Sequence, residues 1–287
     1  MRRLRVALFI NLAYLVVEVA GGLLSHSLAL LADAGHMLTD VAALAVALVA
    51  ARLAGLPPNQ KRTFGLLRAE VLGAFLNGAA LVIMVGFIGI EAYRRVGDPP
   101  IVNGLVMLIV AGGGLLANVL AALVLFASRK DSINVKGAFA HMVADALGSV
   151  GAIVAGMVIW IWGWVPIDLI TSLVIGLLIL WSGMDLLRES TGILLQTTPP
   201  GIDFDDVRDT LMSMPHVADV YDLHIWTITS GMPALSAHVA LRSDCSGSTH
   251  WHECLATAQA TLRERFGIVH STLQLEPPTH ERDCRKV

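Results

Sequence analysis

The chain has 287 residues, of which 55% are hydrophobic and only 15% charged, with a net charge of −3 and a mean hydropathy of +0.68. A soluble domain is usually about 25% charged, so this composition excludes a purely water-solvated protein and makes lipid the solvent of most of the chain. A pI near 6.3 excludes the basic footprint of a nucleic-acid binder.

No Lys or Arg lies between Arg5 and Arg52, Arg68 and Arg94, Arg95 and Arg129, or Lys136 and Arg188. A membrane-crossing helix needs about 20 apolar residues, so the outer two gaps hold two spans each and the inner two hold one each. Six spans are predicted, near 6–24, 28–51, 69–92, 102–127, 138–161 and 167–187. Punctuation agrees: Gly21-Gly22 and Ser25-His26-Ser27 part the first two, Pro57-Pro58 follows the second, and Pro99-Pro100 precedes the fourth. Glu18 interrupts the first apolar run and no small-x-small cleavage site stands apart from the next, which argues against a signal peptide. With the N-terminus inside, the inner side collects Arg2, Arg3, Arg5, Arg52, Lys61, Arg62, Arg68, Arg129, Lys130, Lys136 and Arg188, and the outer side only Arg94 and Arg95. The positive-inside rule then puts both termini in the cytoplasm. The short N-terminus fits a bacterial plasma membrane better than a vesicle.

From about Gly201 the composition becomes polar. A helix opens at Asp203, alternating strand patterns cover 219–229 and 233–242 around the turn signal Ser230-Gly231, a second helix covers 249–266, and a strand covers 269–276. The order αββαβ predicts a small two-layer α/β domain. The expected division is therefore a transmembrane domain over 1–195, an all-α six-helix bundle, and a cytosolic α+β domain over 196–287. Cys245, Cys254 and Cys284 all fall in the latter; an odd number facing the cytosol argues against a disulfide framework.

One pentapeptide occurs twice inside apolar runs: His36-Met37-Leu38-Thr39-Asp40 and His141-Met142-Val143-Ala144-Asp145. Residues four apart share one helix face, and ionisable groups at membrane depth normally line an ion path or a proton relay. Two imidazoles and two carboxylates close a tetrahedral divalent-metal site. Ala32, Ala34, Gly35, Ala138, Ala140 and Gly148 flank the motifs and permit close helix approach. No Cys precedes Cys245, which disfavours a thiolate copper(I) path, and imidazoles favour a borderline ion such as Zn²⁺, with Co²⁺, Cd²⁺, Ni²⁺, Mn²⁺ and Fe²⁺ also admitted. An empty site of charge −2 in a low dielectric is costly, and protons compete with metal for the same lone pairs. Outward movement of metal against inward movement of protons is the natural consequence. Glu18 and Asn11 in the first span, Asp33 one turn before His36, and Asp168 at the start of the sixth are further candidates for a mouth, a relay or helix–helix hydrogen bonding.

These residues resemble the cation diffusion facilitator family of zinc transporters, in the branch that includes vertebrate vesicular zinc transporters and bacterial cobalt-zinc-cadmium resistance proteins. The resemblance rests on 31–40, on Phe64-Gly65 with Arg68-Ala69-Glu70, on 140–145, and on Asp222-Leu223-His224-Ile225-Trp226 with Ser236-Ala237-His238-Val239. It implies a homodimeric Zn²⁺/H⁺ antiporter in lipid, not an enzyme, with His36, Asp40, His141 and Asp145 as transport site. It also implies a ferredoxin-like cytosolic domain that dimerises and binds regulatory zinc through His224, His238 and Glu276, with His270 as a further position. Arg62 and Leu66 stand where some relatives have histidines of a second site, and 128–134 contains no His. The alternatives are a membrane-bound zinc sensor or store without flux, and an intramembrane metalloenzyme. The latter is disfavoured because catalytic zinc keeps an open position and no His-Glu-x-x-His occurs.

Overall fold

The computed structural model describes residues 2–54, 56–97, 100–126, 133–242 and 248–277. Six long helices come first: α1 (Arg2–Ser25), α2 (Leu28–Ala54), α3 (Ala69–Gly97), α4 (Gly104–Phe126), α5 (Ile133–Trp162) and α6 (Pro166–Leu194). Then follow α7 (Phe204–Met212), β1 (Val217–Thr229), β2 (Met232–Leu241), α8 (Ser248–Phe266) and β3 (His270–Glu276). Among the described residues, four helices are long and apolar enough to cross a membrane, within α3, α4, α5 and α6; α1 and α2 contribute the shorter apolar segments Leu12–Ser25 and Leu28–Thr39. Several helices outrun the predicted spans, because the apolar stretch marks where lipid would end and not where backbone hydrogen bonding ends. Thus α6 continues beyond 187 through the charged Arg188 and Glu189 to Leu194.

The chain forms two compact units, Met1–Val46 with Leu76–Leu187, and Ala47–Phe75 with Arg188–Val287. In the first, small residues let helix backbones touch. A Cβ added at Gly104 of α4 would lie 2.7 Å from the Trp160 nitrogen and 2.9 Å from the Gly156 oxygen, and one added at Gly156 would lie 3.0 Å from the Leu108 nitrogen. Gly78 of α3 approaches the Gly183 oxygen of α6 in the same way, at 3.0 Å. With little hydrophobic drive between helices in lipid, such close packing is what holds a bundle together. Leu30, Met107, Ala152, Ala155 and Ile179 are among the buried residues of its centre. The N-terminus of α2 is capped from α6: Asp168, 2% exposed, accepts from the Ser27 hydroxyl at 2.5 Å and from the backbone N–H groups of Leu28 at 2.8 Å and Ala29 at 3.2 Å. These N–H groups have no partner within the helix. Arg95 of α3 sits 3.8 Å from the same carboxylate, while bonding Glu91 at 3.0 Å and the His26 carbonyl at 2.6 Å.

The second unit contains a three-stranded sheet of order β1-β2-β3, with β1 antiparallel to β2 and β3 parallel to it. Val207, Leu211, Leu235, Leu241, Leu262 and Ile268 fill its core. Asp203 caps α7 by accepting from the Asp205 and Asp206 N–H groups, and Gly231 makes the β1–β2 turn at φ +73°, a conformation that costs glycine nothing. Within β1 the register slips between Tyr221, opposite His238, and His224, opposite Ser236. Asp222 lies in this bulge at φ +50°, a region Asp tolerates better than most residues.

Candidate metal centre

The first His-Met-x-x-Asp motif lies on α2 and the second on α5. The side chains of His36 and Asp145 come together, with His36 Nε2 3.9 Å from Asp145 Oδ1. Asp145 is 7% exposed, and the Ser149 hydroxyl one turn on bonds back to its carbonyl at 3.1 Å. The side chains of Asp40 and His141 lie outside the described residues, as does that of Asn11. Helix periodicity explains the local arrangement. Gly35, the neighbour of His36, makes room for α3, since a Cβ there would lie 2.6 Å from the Met84 sulfur. Thr39 satisfies its own hydroxyl by donating to the Gly35 carbonyl at 2.7 Å, so it does not compete for the site.

Three further polar side chains are buried in the same bundle. Glu18 of α1 is 1% exposed, Asp33 of α2 6% and Asn118 of α4 2%. Tyr14, one turn before Glu18 on α1, donates its hydroxyl to the Val110 carbonyl of α4 at 2.6 Å. Tyr14, packed with Ala34, Met37 and Ala117, was not visible as part of a site from sequence. The signal lay in its four-residue spacing from Glu18, on one face of α1.

The sheet carries a second cluster. His238 Nδ1 lies 2.6 Å from Glu276 Oε1, His238 Nε2 3.7 Å from Asp222 Oδ2, and His224 Nε2 3.0 Å from Asp222 Oδ1. Tyr221 donates to the other Glu276 oxygen, and Gln274 Nε2 donates to Oε1 at 2.8 Å. His224, His238 and Glu276 thus gather on one stretch of sheet, with Asp222 linking the two histidines. The bulge brings Asp222 in, and an alternating strand pattern gives no hint of it. His270 does not join them. It pairs with Ala234 at the far end of β3, about 20 Å from Glu276 at strand rise, where its ring meets Phe64 edge-on at 5.5 Å. Two imidazoles and two carboxylates suit a borderline divalent ion. Among the described residues no three His, Cys, Asp or Glu already stand in metal-holding geometry; a metal in the sheet cluster must displace the His238–Glu276 bond. Cys254 of α8 is a free thiol, whereas Cys245, Cys284 and His280 lie outside the described residues.

Residues 4–195 match the family described as the cation efflux transmembrane domain, and residues 199–278 match the cation efflux protein cytoplasmic domain. The chain belongs to the cation efflux family. This is a family of transporters, not of enzymes, and four long apolar helices make its member an integral membrane protein. A relative from Bacillus subtilis named "Cadmium, cobalt and zinc/H(+)-K(+) antiporter" is 40% identical, covering 94% of this chain and 87% of its own. "Zinc transporter ZitB" of Pectobacterium atrosepticum is 42% identical, covering 96% of this chain and 85% of its own. A solved structure titled "Metal-bound C-terminal domain of the CzcD transporter from Cuprividus metallidurans" is 32% identical, covering 26% of this chain and 99% of that one, with a TM-score of 0.24.

Proposed function

We propose that this cation efflux protein exports divalent metal from the cytoplasm, Zn²⁺ foremost, in exchange for protons. The observation that carries this reading is the approach of His36 to Asp145, 3.9 Å apart, between two helices of a membrane bundle. All six of the long helices span the bilayer in this reading, both termini are cytoplasmic, and the membrane is the bacterial plasma membrane. The transport domain covers 1–195 and the ferredoxin-like cytosolic domain 196–287, through which two copies dimerise.

Transported metal is held by His36, Asp40, His141 and Asp145. Zn²⁺ has no ligand-field preference and accepts a tetrahedral N₂O₂ set. Binding requires these groups to be deprotonated, so each ion that arrives displaces protons and each ion that leaves is replaced by them. In the cytosolic domain His224, His238 and Glu276 hold a regulatory zinc, with Asp222 orienting both imidazoles; His270 stands apart from them on the sheet, a position suited to a separate contact. Zinc there would cross-link β1, β2 and β3 at one end.

The test is Zn²⁺ flux in proteoliposomes under an imposed pH gradient. Gradient-driven uptake that Asp145→Ala abolishes supports the reading. Tight zinc binding with no flux in the unsubstituted protein would replace it with the sensor or store.

A further inference from the structure

A cavity of about 210 Å³ lies between α8 and the sheet of the C-terminal domain. Its sheet wall includes Val239 of β2 and Leu275 of β3, next in sequence to His238 and Glu276. Side chains alternate across a strand, so this cavity and the His238–Glu276 cluster occupy opposite faces of one sheet. The helix wall is polar. His250, Glu253, Cys254 and Thr257 line it, and spacings of three and four put them on one face of α8. His216, in the turn that leads into β1, also lines the cavity. Backbone fixes that turn: the His216 carbonyl accepts from the Arg242 N–H at 2.8 Å, at a φ of +66°. The His216 and His250 rings meet edge-on with centroids 4.6 Å apart, and His250 Nδ1 lies 3.6 Å from Glu253 Oε2. Cys254, a half-buried free thiol, follows His250 by one turn. Among the described residues no Lys or Arg lines the cavity, so no fixed cation there opposes a metal ion. A water needs only about 30 Å³, so the space admits an ion with part of its hydration shell.

We infer that His216, His250 and Cys254, with Glu253 at the rim, form a second metal site of the C-terminal domain, one that takes a thiophilic divalent cation such as Zn²⁺ or Cd²⁺. Imidazole, thiolate and carboxylate are all zinc ligands. The thiolate adds a preference for softer ions, which the nitrogen and oxygen donors of the His36–Asp145 centre and of the sheet cluster do not offer. On binding, the Cys254 S–H bond breaks, its proton passes to water and the sulfur electron pair goes to the ion. Among the described residues no three such groups stand in metal-holding geometry beforehand, so binding requires new staggered rotamers of His250 and Cys254. The bound ion ties α8 to the turn before β1. Neither the site nor its test depends on the antiport reading.

The experiment follows alkylation of Cys254 by iodoacetamide in the full-length protein, with and without Zn²⁺ or Cd²⁺, by tandem mass spectrometry that resolves Cys254 from Cys245 and Cys284. The free thiolate is the species that reacts, so saturating ion is expected to slow labelling by at least about tenfold. His216→Gln and His250→Gln should each raise the ion concentration for half-protection by at least about tenfold. His224→Gln, which removes a ligand from the other face of the sheet, should leave the protection in place. The His250 side chain is 37% exposed in the first turn of α8, so His250→Gln spares the core and carries the test should His216→Gln fail to fold. Labelling indifferent to both ions overturns the inference, as does protection that survives His250→Gln. Protection lost in His224→Gln also overturns it, by assigning the effect to the sheet cluster.

Discussion

His238 Nδ1 lies 2.6 Å from Glu276 Oε1, so a short polar contact of the sheet cluster joins two of its proposed metal ligands to each other. Glu276 is 3% exposed and also accepts from Tyr221 and Gln274. Without metal the carboxylate is already satisfied, and it acts as a structural anchor. Glu276→Gln should therefore weaken the C-terminal domain by about 1–3 kcal/mol, the cost of disturbing a buried hydrogen-bonded group. It should also remove the rise in melting temperature that bound zinc confers. Thermal melts of the full chain with and without Zn²⁺ check both outcomes.

At the membrane centre, His36→Gln and Asp145→Asn should each weaken Zn²⁺ binding by more than about 100-fold, since even the outer partners of metal ligands are worth 10–100-fold. The two act on one ion, so the double variant should lose less than the sum of the single losses. Calorimetric titration of the three proteins measures the shortfall; full additivity would mean the two residues do not share a metal.

Gly104→Ala is expected to destabilise the bundle by about 1–3 kcal/mol, the usual cost of overpacking. The new methyl carbon would sit 2.7 Å from backbone on α5, which has no rotamer by which to yield. Gly112, whose added Cβ meets nothing within 4 Å, provides the control on the same helix. Aggregation temperature in detergent should fall for Gly104→Ala and hold for Gly112→Ala.

Asp168→Ala removes the cap of α2 and should cost about 2 kcal/mol, with Asp168→Asn nearer 1 because one carbonyl acceptor survives. Arg95 is not stranded by either change, since Glu91 and the His26 carbonyl still hold it. Hydrogen exchange at Leu28 and Ala29 should speed up before the rest of α2.

Much of this was legible in the chain because it depends on local spacing. The repeated His-Met-x-x-Asp places each pair on one helix face, and Ser230-Gly231 marks a turn whatever the rest of the fold does. What depends on packing was not legible. The slip between Tyr221 and His224 inserts one residue into a strand that alternates evenly on paper, and so hides Asp222. Likewise, the seat of Tyr14 against Val110 exists only once α1 and α4 lie together and the α4 glycines admit the tyrosine ring. Helix ends differed for a simpler reason: α3 runs past 92 to Gly97 because Glu91 and Arg95 pair one turn apart, which supports a helix that apolar composition alone would have stopped.

The cap that Asp168 places on Leu28 and Ala29 also makes that end of α2 a pivot. His36 stands eight residues beyond Leu28, about 12 Å along the axis. A swing of roughly 10° about the pinned end carries His36 sideways by about 2 Å, as long as a zinc–nitrogen bond. A lean of α2 about α6 would thus alter the geometry of the proposed metal centre with no hydrogen bond of the helix broken.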